Sequence, residues 1–287
     1  MLEIDRIYNE DCLEGMKKID DGTIDFVCTD LPYGLIDCGW DKRIDLQKFW
    51  KEVRRILKPQ SSAAMFASGK FVFELAQSNW QWYKYKWVWI KNQPTCFVHA
   101  KNCPMHKHEE ILIFSNGVIN HESLSPKTRM KYFPQGVHDI EPTQKKTSHG
   151  RLVGISSQLR GVKCQGNTRF NALNKFGSAY GRRPSQKEVY TSTKEGYPAD
   201  VLQFNTVCTN AKFNPSQKPV DLLEYLIKTY TNEGELVLDA TIGSGSTAVA
   251  AVNTGRHFIG FETEKHFCDI ANERISKALA DKMQVLF

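Results

Sequence analysis

Four consecutive residues combine chemical groups that a fold alone rarely needs side by side. Asp30 ends the apolar run IDFVCT, and Leu31, Pro32 and Tyr33 follow it. The carboxylate of Asp30 and the backbone carbonyls next to it accept hydrogen bonds without donating any, which suits an incoming amino group. The ring of Tyr33 offers a face on which a flat heterocycle can stack. This arrangement indicates a clamp for the amino group of a base.

A second set of residues lies in the C-terminal third, within LVLDATIGSGSTAVAA. Gly243 and Gly245 follow a predicted strand and precede a predicted helix, so they allow a sharp turn and the approach of a ligand to free N–H groups. Glu262 ends the next strand, where an acid can accept hydrogen bonds from two ribose hydroxyls. The pattern predicts a nucleoside-cofactor pocket.

Two other interpretations of the glycine-rich segment remain open. The first is a tight strand-to-helix turn that binds no ligand. The second is the dinucleotide site of a nicotinamide- or flavin-dependent oxidoreductase, because GSGSTA fits the loose G-x-G-x-x-A pattern. An oxidoreductase would leave Asp30 and Tyr33 without a function.

A cluster of cysteine and histidine residues raises the question of a metal. Its members are Cys96, His99, Cys103, His106 and His108. Their spacing is compatible with zinc, but no second paired knuckle is present and the flanking apolar residues are typical of an ordinary strand and turn. The sequence therefore predicts no metal site.

Alternating strand and helix patterns position these groups. Apolar strand-like segments alternate with amphipathic helices in the first and last thirds of the chain, which predicts an α/β fold with a doubly wound, mostly parallel sheet. In such sheets ligands bind at the carboxyl ends of the strands. Asp30 and the glycine-rich segment, which follow different strands, should therefore meet at one edge.

The alternation stops in the middle of the chain, which is also the basic part. Residues 117–200 contain 14 Lys or Arg against six Asp or Glu, within a chain of net charge +6. The pattern divides the chain into a first catalytic part at 1–116, an insert at 117–199 and a second catalytic part at 200–287. Basic residues in polar, Gly-containing segments are typical of contacts to phosphates.

Bulk composition narrows the class further. The chain has 287 residues, 41% hydrophobic residues and eight scattered cysteines, with a mean hydropathy of -0.44. No apolar stretch is long enough to span a bilayer and the first residues are charged, so the sequence predicts no membrane association, a cytoplasmic location and reduced thiols.

The quoted motifs together resemble a known enzyme family. TDLPYG is similar to the (D/N/S)PP(Y/F/W) motif of S-adenosylmethionine-dependent DNA amino-methyltransferases, and LDATIGSGST resembles their cofactor loop. The catalytic motif comes first and the cofactor loop last, as in the permuted β group, and the chain is similar to phage and prophage adenine enzymes. The resemblance implies a Rossmann-like class I methyltransferase fold with a basic recognition insert.

The resemblance also implies roles for individual residues. The catalytic clamp consists of Asp30, Leu31, Pro32 and Tyr33. S-adenosylmethionine is expected to contact Asp11, Cys12, Ser216, Lys218, Asp239, Ala240, Gly243, Gly245, Ser246, Thr247 and Glu262. Double-stranded DNA is expected to contact Arg151, Arg160, Lys163, Arg169, Lys175, Arg182 and Arg183.

The implied reaction is methylation of the adenine N6 amino group in DNA after base flipping. Two positions depart from the family pattern, because Leu31 replaces a proline and Asn214 replaces the usual histidine. N4-cytosine methylation and a catalytically silent DNA-binding protein are the alternatives. Protein glutamine methyltransferases have a similar clamp, but in them the cofactor loop precedes it. The resemblance is also compatible with a homodimer.

Overall fold

A computed structural model describes residues 2–34, 42–119, 128–146, 189–208, 212–214 and 216–285. The chain divides into two compact units. The larger unit comprises residues 1–135 and 198–287, and the smaller unit comprises residues 136–197.

Ten strands occur in the described residues. In chain order they are β1 (Arg6–Tyr8), β2 (Ile24–Thr29), β3 (Leu57–Ala67), β4 (Tyr83–Thr95), β5 (His106–Ser115), β6 (His138–Lys146), β7 (Val189–Glu195), β8 (Val201–Gln203), β9 (Leu236–Asp239) and β10 (His257–Phe261). All of them except β6 and β7 belong to one eight-stranded sheet in the larger unit.

Six α-helices accompany the large sheet in the described residues. They are α1 (Cys12–Met16), α2 (Leu46–Ile56), α3 (Phe71–Ser78), α4 (Val220–Tyr230), α5 (Ser246–Asn253) and α6 (Lys265–Val285). Alternate residues of β2 face opposite sides: Phe26 and Cys28 pack with α4, α5 and α6, whereas Val27 packs with α1, α2 and α3. Because both faces are covered, every residue of β2 is buried.

The strand order is β1-β10-β9-β2-β3-β5-β4-β8. Neighbouring strands are parallel except where β5 pairs with β3 and with β4. The predicted α/β fold with a doubly wound, mostly parallel sheet is confirmed. From β2 the chain winds through α2 to β3, and from β9 it winds through α5 to β10 in the opposite direction. The order of the sheet therefore reverses between β9 and β2, which opens a crevice at their carboxyl ends.

The antiparallel strand β5 is a departure from simple alternation. β4 and β5 pair directly as a long hairpin, with Thr95 opposite His106 at its outer end. Only a short connection, including a 3₁₀ turn at Phe97–His99, joins the two strands. A connection of this length cannot cross over to a parallel position, so β5 must return antiparallel to β4.

Residues 128–135, which the sequence assigned to the insert, pack in the larger unit. Lys131 Nζ lies 3.0 Å from Asp25 Oδ1 and 2.6 Å from Glu235 Oε1. Burial raises the pKa of Asp25, but Lys58 and Lys131 outweigh it and hold the pKa below its usual range. These ion pairs join this segment to the amino ends of β2 and β9.

The smaller unit contains the antiparallel pair β6 and β7. Its first and last residues lie side by side: His138 pairs with Glu195, and a side chain at Gly196 would overlap the carbonyl oxygen of Gly136. Gly136 and Gly196 have φ values of +83° and +84°, a region that favours glycine. In the described ranges of both units, no helix has the length and apolar character needed to cross a membrane.

Candidate active site

The predicted clamp residues follow β2 at the crevice. Leu31 is buried and Tyr33 is half-buried. The Tyr33 hydroxyl donates a 2.7 Å hydrogen bond to Asp30 Oδ1. The ring of Tyr33 stacks on Phe71 of α3, with centroids 4.8 Å apart and planes inclined by 27°. One face of the ring is thus supported by the core, and its hydroxyl fixes the carboxylate of Asp30.

Asp30 is also bound from the other side of the crevice. Lys218 Nζ lies 2.5 Å from Asp30 Oδ2. The Thr241 hydroxyl donates to the carbonyl oxygen of Asp30 at 3.0 Å and lies 2.9 Å from the hydroxyl of Thr29. The segment after β2 is therefore tied directly to the segment after β9. The expected contact of Lys218 with the cofactor stays a prediction, and the structure shows its ammonium on Asp30.

Lys218 belongs to a buried set of four charged residues. Its ammonium lies 3.5 Å from Glu109 Oε2 of β5, and Glu109 Oε1 lies 2.5 Å from Lys91 Nζ of β4. Burial lowers the pKa of Lys218, but Asp30 and Glu109 outweigh it and raise the pKa above its usual range. Burial likewise raises the pKa of Glu109, and Lys218 and Lys91 more than reverse this shift. The net shifts favour the ionised forms of both side chains, so Lys218 cannot serve as a proton acceptor at neutral pH.

The glycine-rich loop begins at Asp239, the last residue of β9. Thr247 donates its hydroxyl to Asp239 Oδ2 at 2.5 Å, and the N–H of Thr241 donates to Oδ1 at 3.1 Å. Burial raises the pKa of Asp239 to about 6, although these hydrogen bonds oppose the shift. Ala240 and Ser246 are buried beside it. Asp239 therefore holds the loop and the first turn of α5 together.

The two glycines of the loop have different structural roles. Gly243 has φ +52° and donates its N–H to Glu262 Oε2 at 3.0 Å. Gly245 has φ +82°, and a Cβ there would lie 2.7 Å from the Cβ of Ala271 in α6. The sequence indicated that Gly245 leaves room for a ligand. In the structure the space beside it is filled by α6, so Gly245 allows the close packing of helix against loop.

Glu262 directly follows β10 and binds two backbone N–H groups. Gly243 donates to Oε2 at 3.0 Å and Glu264 donates to Oε1 at 2.9 Å. The Thr263 hydroxyl also donates to Oε1, at 3.5 Å. An ionised carboxylate has about four acceptor positions, so Glu262 retains capacity for a further donor. Asn9, a residue that sequence reasoning missed, ties β1 to this turn by donating to the carbonyl oxygens of Glu262 and Thr263.

Asp11 and Cys12 lie at the start of α1. Asp11 is the N-cap of this helix, and its Oδ1 accepts the N–H of Leu13 at 2.8 Å. Cys12 is buried, and burial raises the pKa of its thiol to about 12. Both residues therefore have a structural reason to be where they are, and contact with a nucleoside base stays a prediction for them.

A single cleft contains most of the predicted cofactor residues. The predicted residues that line the cleft are Asp30, Ser216, Lys218, Asp239, Gly243, Ser246 and Thr247. The lining also includes three residues that sequence reasoning did not select as cofactor contacts: Asn214, Gln217 and Ser244. Asn214 Oδ1 accepts both the N–H and the hydroxyl of Ser216 at 2.9 Å. The lining is mainly polar, with Phe66, Leu223 and Ile242 as apolar walls.

The remaining predictions concern metals and DNA. Among the residues that the structure describes, no group of three or more His, Cys, Asp or Glu side chains is arranged to hold a metal ion. The seven basic residues expected to contact DNA, from Arg151 to Arg183, all lie outside the described residues.

The fold and the cleft define an α/β methyltransferase of class I, and similarity searches agree. A family model described as "DNA methylase" matches residues 24–273. The chain belongs to this family, and it is an S-adenosylmethionine-dependent DNA methyltransferase.

Curated relatives include type II methyltransferases. M.HindIII from Haemophilus influenzae is 24% identical over 306 residues, covering 95% of this chain and 95% of its own length. M.BglII from Bacillus subtilis is 24% identical over 293 residues, covering 95% of this chain and 69% of its own length.

Solved structures share the fold. The M1.HpyAVI–SAM complex has a TM-score of 0.57 at 19% identity, covering 94% of this chain and 98% of that one. The cytosine-N4-specific PvuII DNA methyltransferase has a TM-score of 0.58 at 15% identity, covering 96% and 90%.

The residues of the cleft, together with Glu262, which does not line it but binds the N–H of the lining residue Gly243, fit S-adenosylmethionine. A sugar with two hydroxyls requires a carboxylate with free acceptor capacity, which Glu262 has after binding its two N–H groups. A charged amino acid end requires polar partners, which Ser216, Gln217 and Ser244 supply on the lining of the cleft. The positive φ of Gly243 holds the loop in the sharp turn that brings its N–H to Glu262. We expect these residues to hold the cofactor.

Proposed function

We propose that the protein methylates the N6 amino group of adenine in double-stranded DNA, and that the target base leaves the helix to reach the cleft. The observation that carries this proposal is the position of Asp30. Its carboxylate lies on the cleft that contains the cofactor loop, and its own carbonyl oxygen is hydrogen-bonded to Thr241 of that loop. An amino group bound to Asp30 would therefore lie next to the cofactor.

The proposed chemistry requires orientation rather than covalent catalysis. When bound, S-adenosylmethionine would supply an electrophilic methyl group and leave as a neutral thioether, and the amine nitrogen would release one of its N–H protons. Asp30 and the carbonyl oxygen of Leu31 accept the two N–H groups of the target amine, which directs the nitrogen lone pair away from them. Most of the rate enhancement then comes from positioning and from preorganised charge.

Lys218 holds Asp30 in place in this proposal. Its ammonium lies 2.5 Å from Asp30 Oδ2, so an incoming amino group either shares that oxygen or displaces the ammonium. Lys218 remains bound to Glu109 in either case.

Tyr33 is proposed to stack on the target base. Because one face of its ring rests on Phe71, the ring is held in one orientation before the base arrives. A fixed ring loses little conformational entropy on binding, which strengthens stacking. The hydroxyl contributes separately, by holding Asp30.

N4-cytosine methylation is the second candidate, because cytosine presents an amino group of similar geometry. The leading acid of the motif, Asp30, favours adenine by resemblance. The cytosine-N4-specific structural neighbour has the same fold at 15% identity, which supports no choice of base.

The basic insert is proposed to hold the DNA. The residues from Arg151 to Arg183 would contact phosphates and give an affinity that falls steeply with salt. The assignment of residues 117–199 to target recognition rests on charge and on the resemblance. A homodimer is likewise proposed on the resemblance alone.

One experiment tests the function. Purified protein is incubated with methyl-tritiated S-adenosylmethionine and unmethylated duplex DNA, and the DNA is then digested to nucleosides and separated. We expect label in N6-methyldeoxyadenosine. Label in N4-methyldeoxycytidine would support the second candidate, label on cytosine C5 would refute both, and no label on any DNA would favour a silent DNA-binding protein.

A further inference from the structure

The outer part of the β4–β5 hairpin, residues 92–108, comprises the short connection and the strand residues that flank it, and it has an unusual composition. It contains two lysines and three histidines but no aspartate or glutamate. The sequence raised this segment as a zinc site, and the described residues contain no cluster of that kind. The basic character of the connection is therefore still unexplained.

This connection displays apolar side chains to solvent. Phe97 is 81% exposed and Val98 is 87% exposed, more than any other large apolar side chain in the described ranges. The backbone around them is ordered by internal hydrogen bonds: Cys103 N donates to the His99 carbonyl at 3.0 Å, and Cys96 adopts a φ of +67°. The two side chains are therefore presented outward by a folded turn.

The connection lies at the edge of the sheet that carries the active site. β4 runs in the same direction as β2 and β3, because both β4 and β3 are antiparallel to β5. Its outer end therefore extends beyond the carboxyl ends of these strands. At the base of the connection, Lys91 forms an ion pair with Glu109, Glu109 forms one with Lys218, and Lys218 forms one with Asp30.

We propose that Phe97 and Val98 form a wedge that enters the DNA duplex beside the target base, while Lys101 and Lys107 contact the flanking phosphates. This inference rests on the proposed function. A base that leaves the helix opens a gap in the stack, and apolar side chains that insert between base steps unstack and kink duplexes. Such a wedge must be apolar at its tip, cationic around it and close to the clamp, and residues 92–108 have all three properties.

The first test compares duplex with single-stranded substrate. In the double variant Phe97→Ala, Val98→Ala, methyl transfer to duplex DNA should fall at least about fivefold, the low end for loss of one stacked side chain. Transfer to single-stranded DNA, which needs no unstacking, should change less than twofold. The matched control is Trp80→Ala: Trp80 is also an exposed aromatic residue, and it lies beyond the opposite end of β4. Equal loss on both substrates, or no loss, would overturn the proposal.

The second test needs no catalysis, so it separates failure of this inference from failure of the proposed function. Binding of the cofactor-free protein to a mixed-sequence duplex is measured over a range of salt concentrations. Lys101→Gln with Lys107→Gln should reduce the slope of log affinity against log salt by about two units. Lys51→Gln with Lys277→Gln, which remove two exposed lysines from helices, should leave it unchanged. An unchanged slope in the first pair would overturn the phosphate contacts, even if the enzyme methylates DNA.

Self-association is the competing use of an exposed apolar turn. Sedimentation of the wild-type protein and of the Phe97→Ala, Val98→Ala variant distinguishes the two. We expect the same oligomeric state for both. A dimer that dissociates only in the variant would overturn the wedge and assign these side chains to a contact between two copies of the chain.

Discussion

The two sides of the cleft are stabilised by different kinds of contact. On the clamp side, defined by Asp30, Tyr33, Glu109 and Lys218, charged and hydroxyl side chains bind one another across three segments of the chain. The loop side is defined by Asp239, Gly243, Gly245 and Glu262. Here carboxylates mainly bind backbone N–H groups of the glycine-rich loop and a hydroxyl in the first turn of α5. The clamp side therefore depends on charge, and the loop side depends on backbone conformation.

Because of this difference, we expect substitutions on the two sides of the cleft to affect different properties of the protein. Changes of charge on the clamp side should reduce methyl transfer and leave the fold and cofactor affinity nearly intact. Changes of shape or charge on the loop side should alter stability or cofactor affinity first.

The largest effect is expected from Asp30→Asn. Loss of the charged acceptor removes a preorganised group from the reacting centre, so transfer should fall about 10²- to 10³-fold. Cofactor affinity, measured by calorimetry, should change by no more than a few fold. Asp269→Asn, an exposed change on α6, is the control. Loss of cofactor binding in a folded Asp30→Asn protein would remove the distinction between the two sides.

A large effect is also expected on the pH dependence of stability. The raised pKa of Asp239, about 6, means that this carboxyl group binds a proton more tightly in the folded cofactor-free protein than in the unfolded chain. Its contribution to stability is present below the ordinary pKa and is lost as pH rises through about 6, a change of about 3 kcal/mol. Urea unfolding at pH 4 and pH 7 should show this change in wild-type protein relative to Asp239→Asn. If the free energies of unfolding of the two proteins differ by the same amount at pH 4 and at pH 7, the pKa of Asp239 is not raised.

Glu262→Gln should weaken cofactor binding by about 1.5–3 kcal/mol, because hydrogen bonds to a charged acceptor are lost. Titration calorimetry with S-adenosylmethionine measures this effect. Glu264→Gln changes the next acid along the same turn and should bind normally. If both variants bind as tightly as wild type, Glu262 serves only to hold the backbone of Gly243.

Gly245→Ala should destabilise the protein through backbone strain and through a clash with α6. Gly234→Ala introduces the backbone strain alone and therefore separates the two effects. Both glycines have positive φ, +82° and +76°, but a Cβ at Gly234 meets no atom within 4 Å whereas one at Gly245 meets Ala271. Backbone strain of about 1–2 kcal/mol is expected in both variants. The further loss in Gly245→Ala, measured by denaturant unfolding, reports the packing of α6 on the loop. Equal losses would show that the helix simply moves away.

The smallest effect is expected from Tyr33→Phe. It removes the hydrogen bond to Asp30 but keeps the ring, so transfer should fall by about 1 kcal/mol, or roughly fivefold. Tyr33→Ala also removes the stacking surface and should lose more, up to roughly 150-fold further. Equal losses in both variants would assign the function of Tyr33 to its hydroxyl.

The sequence predicted the loop side more completely than the clamp side. Gly243, Gly245 and Thr247 lie within a few residues of one strand end, so local spacing reveals them. Lys218 contacts Asp30 across 188 residues of sequence, and no local pattern connects them. Sequence reasoning placed both residues near the active site, but their ion pair and the participation of Glu109 and Lys91 required the structure.

The packing around Gly245 also could not be predicted. A glycine in a strand-to-helix turn is compatible with either a ligand or a neighbouring helix on its open side, and only the position of Ala271 distinguishes the two. Similarly, the hairpin of β4 and β5 follows from the short connection, but the exposure of Phe97 depends on the fold of the turn.

The adjacent ends of the smaller unit have a consequence for evolution. The chain enters and leaves this unit through Gly136 and Gly196, which lie in contact. A segment with neighbouring ends can be lengthened, shortened or replaced at little entropic cost to the rest of the chain. Lys131 fixes the segment that leads to the entry point by its ion pairs with Asp25 and Glu235. Recombination at these glycines would exchange the whole unit as a cassette and leave the strands that carry the clamp and the loop unchanged.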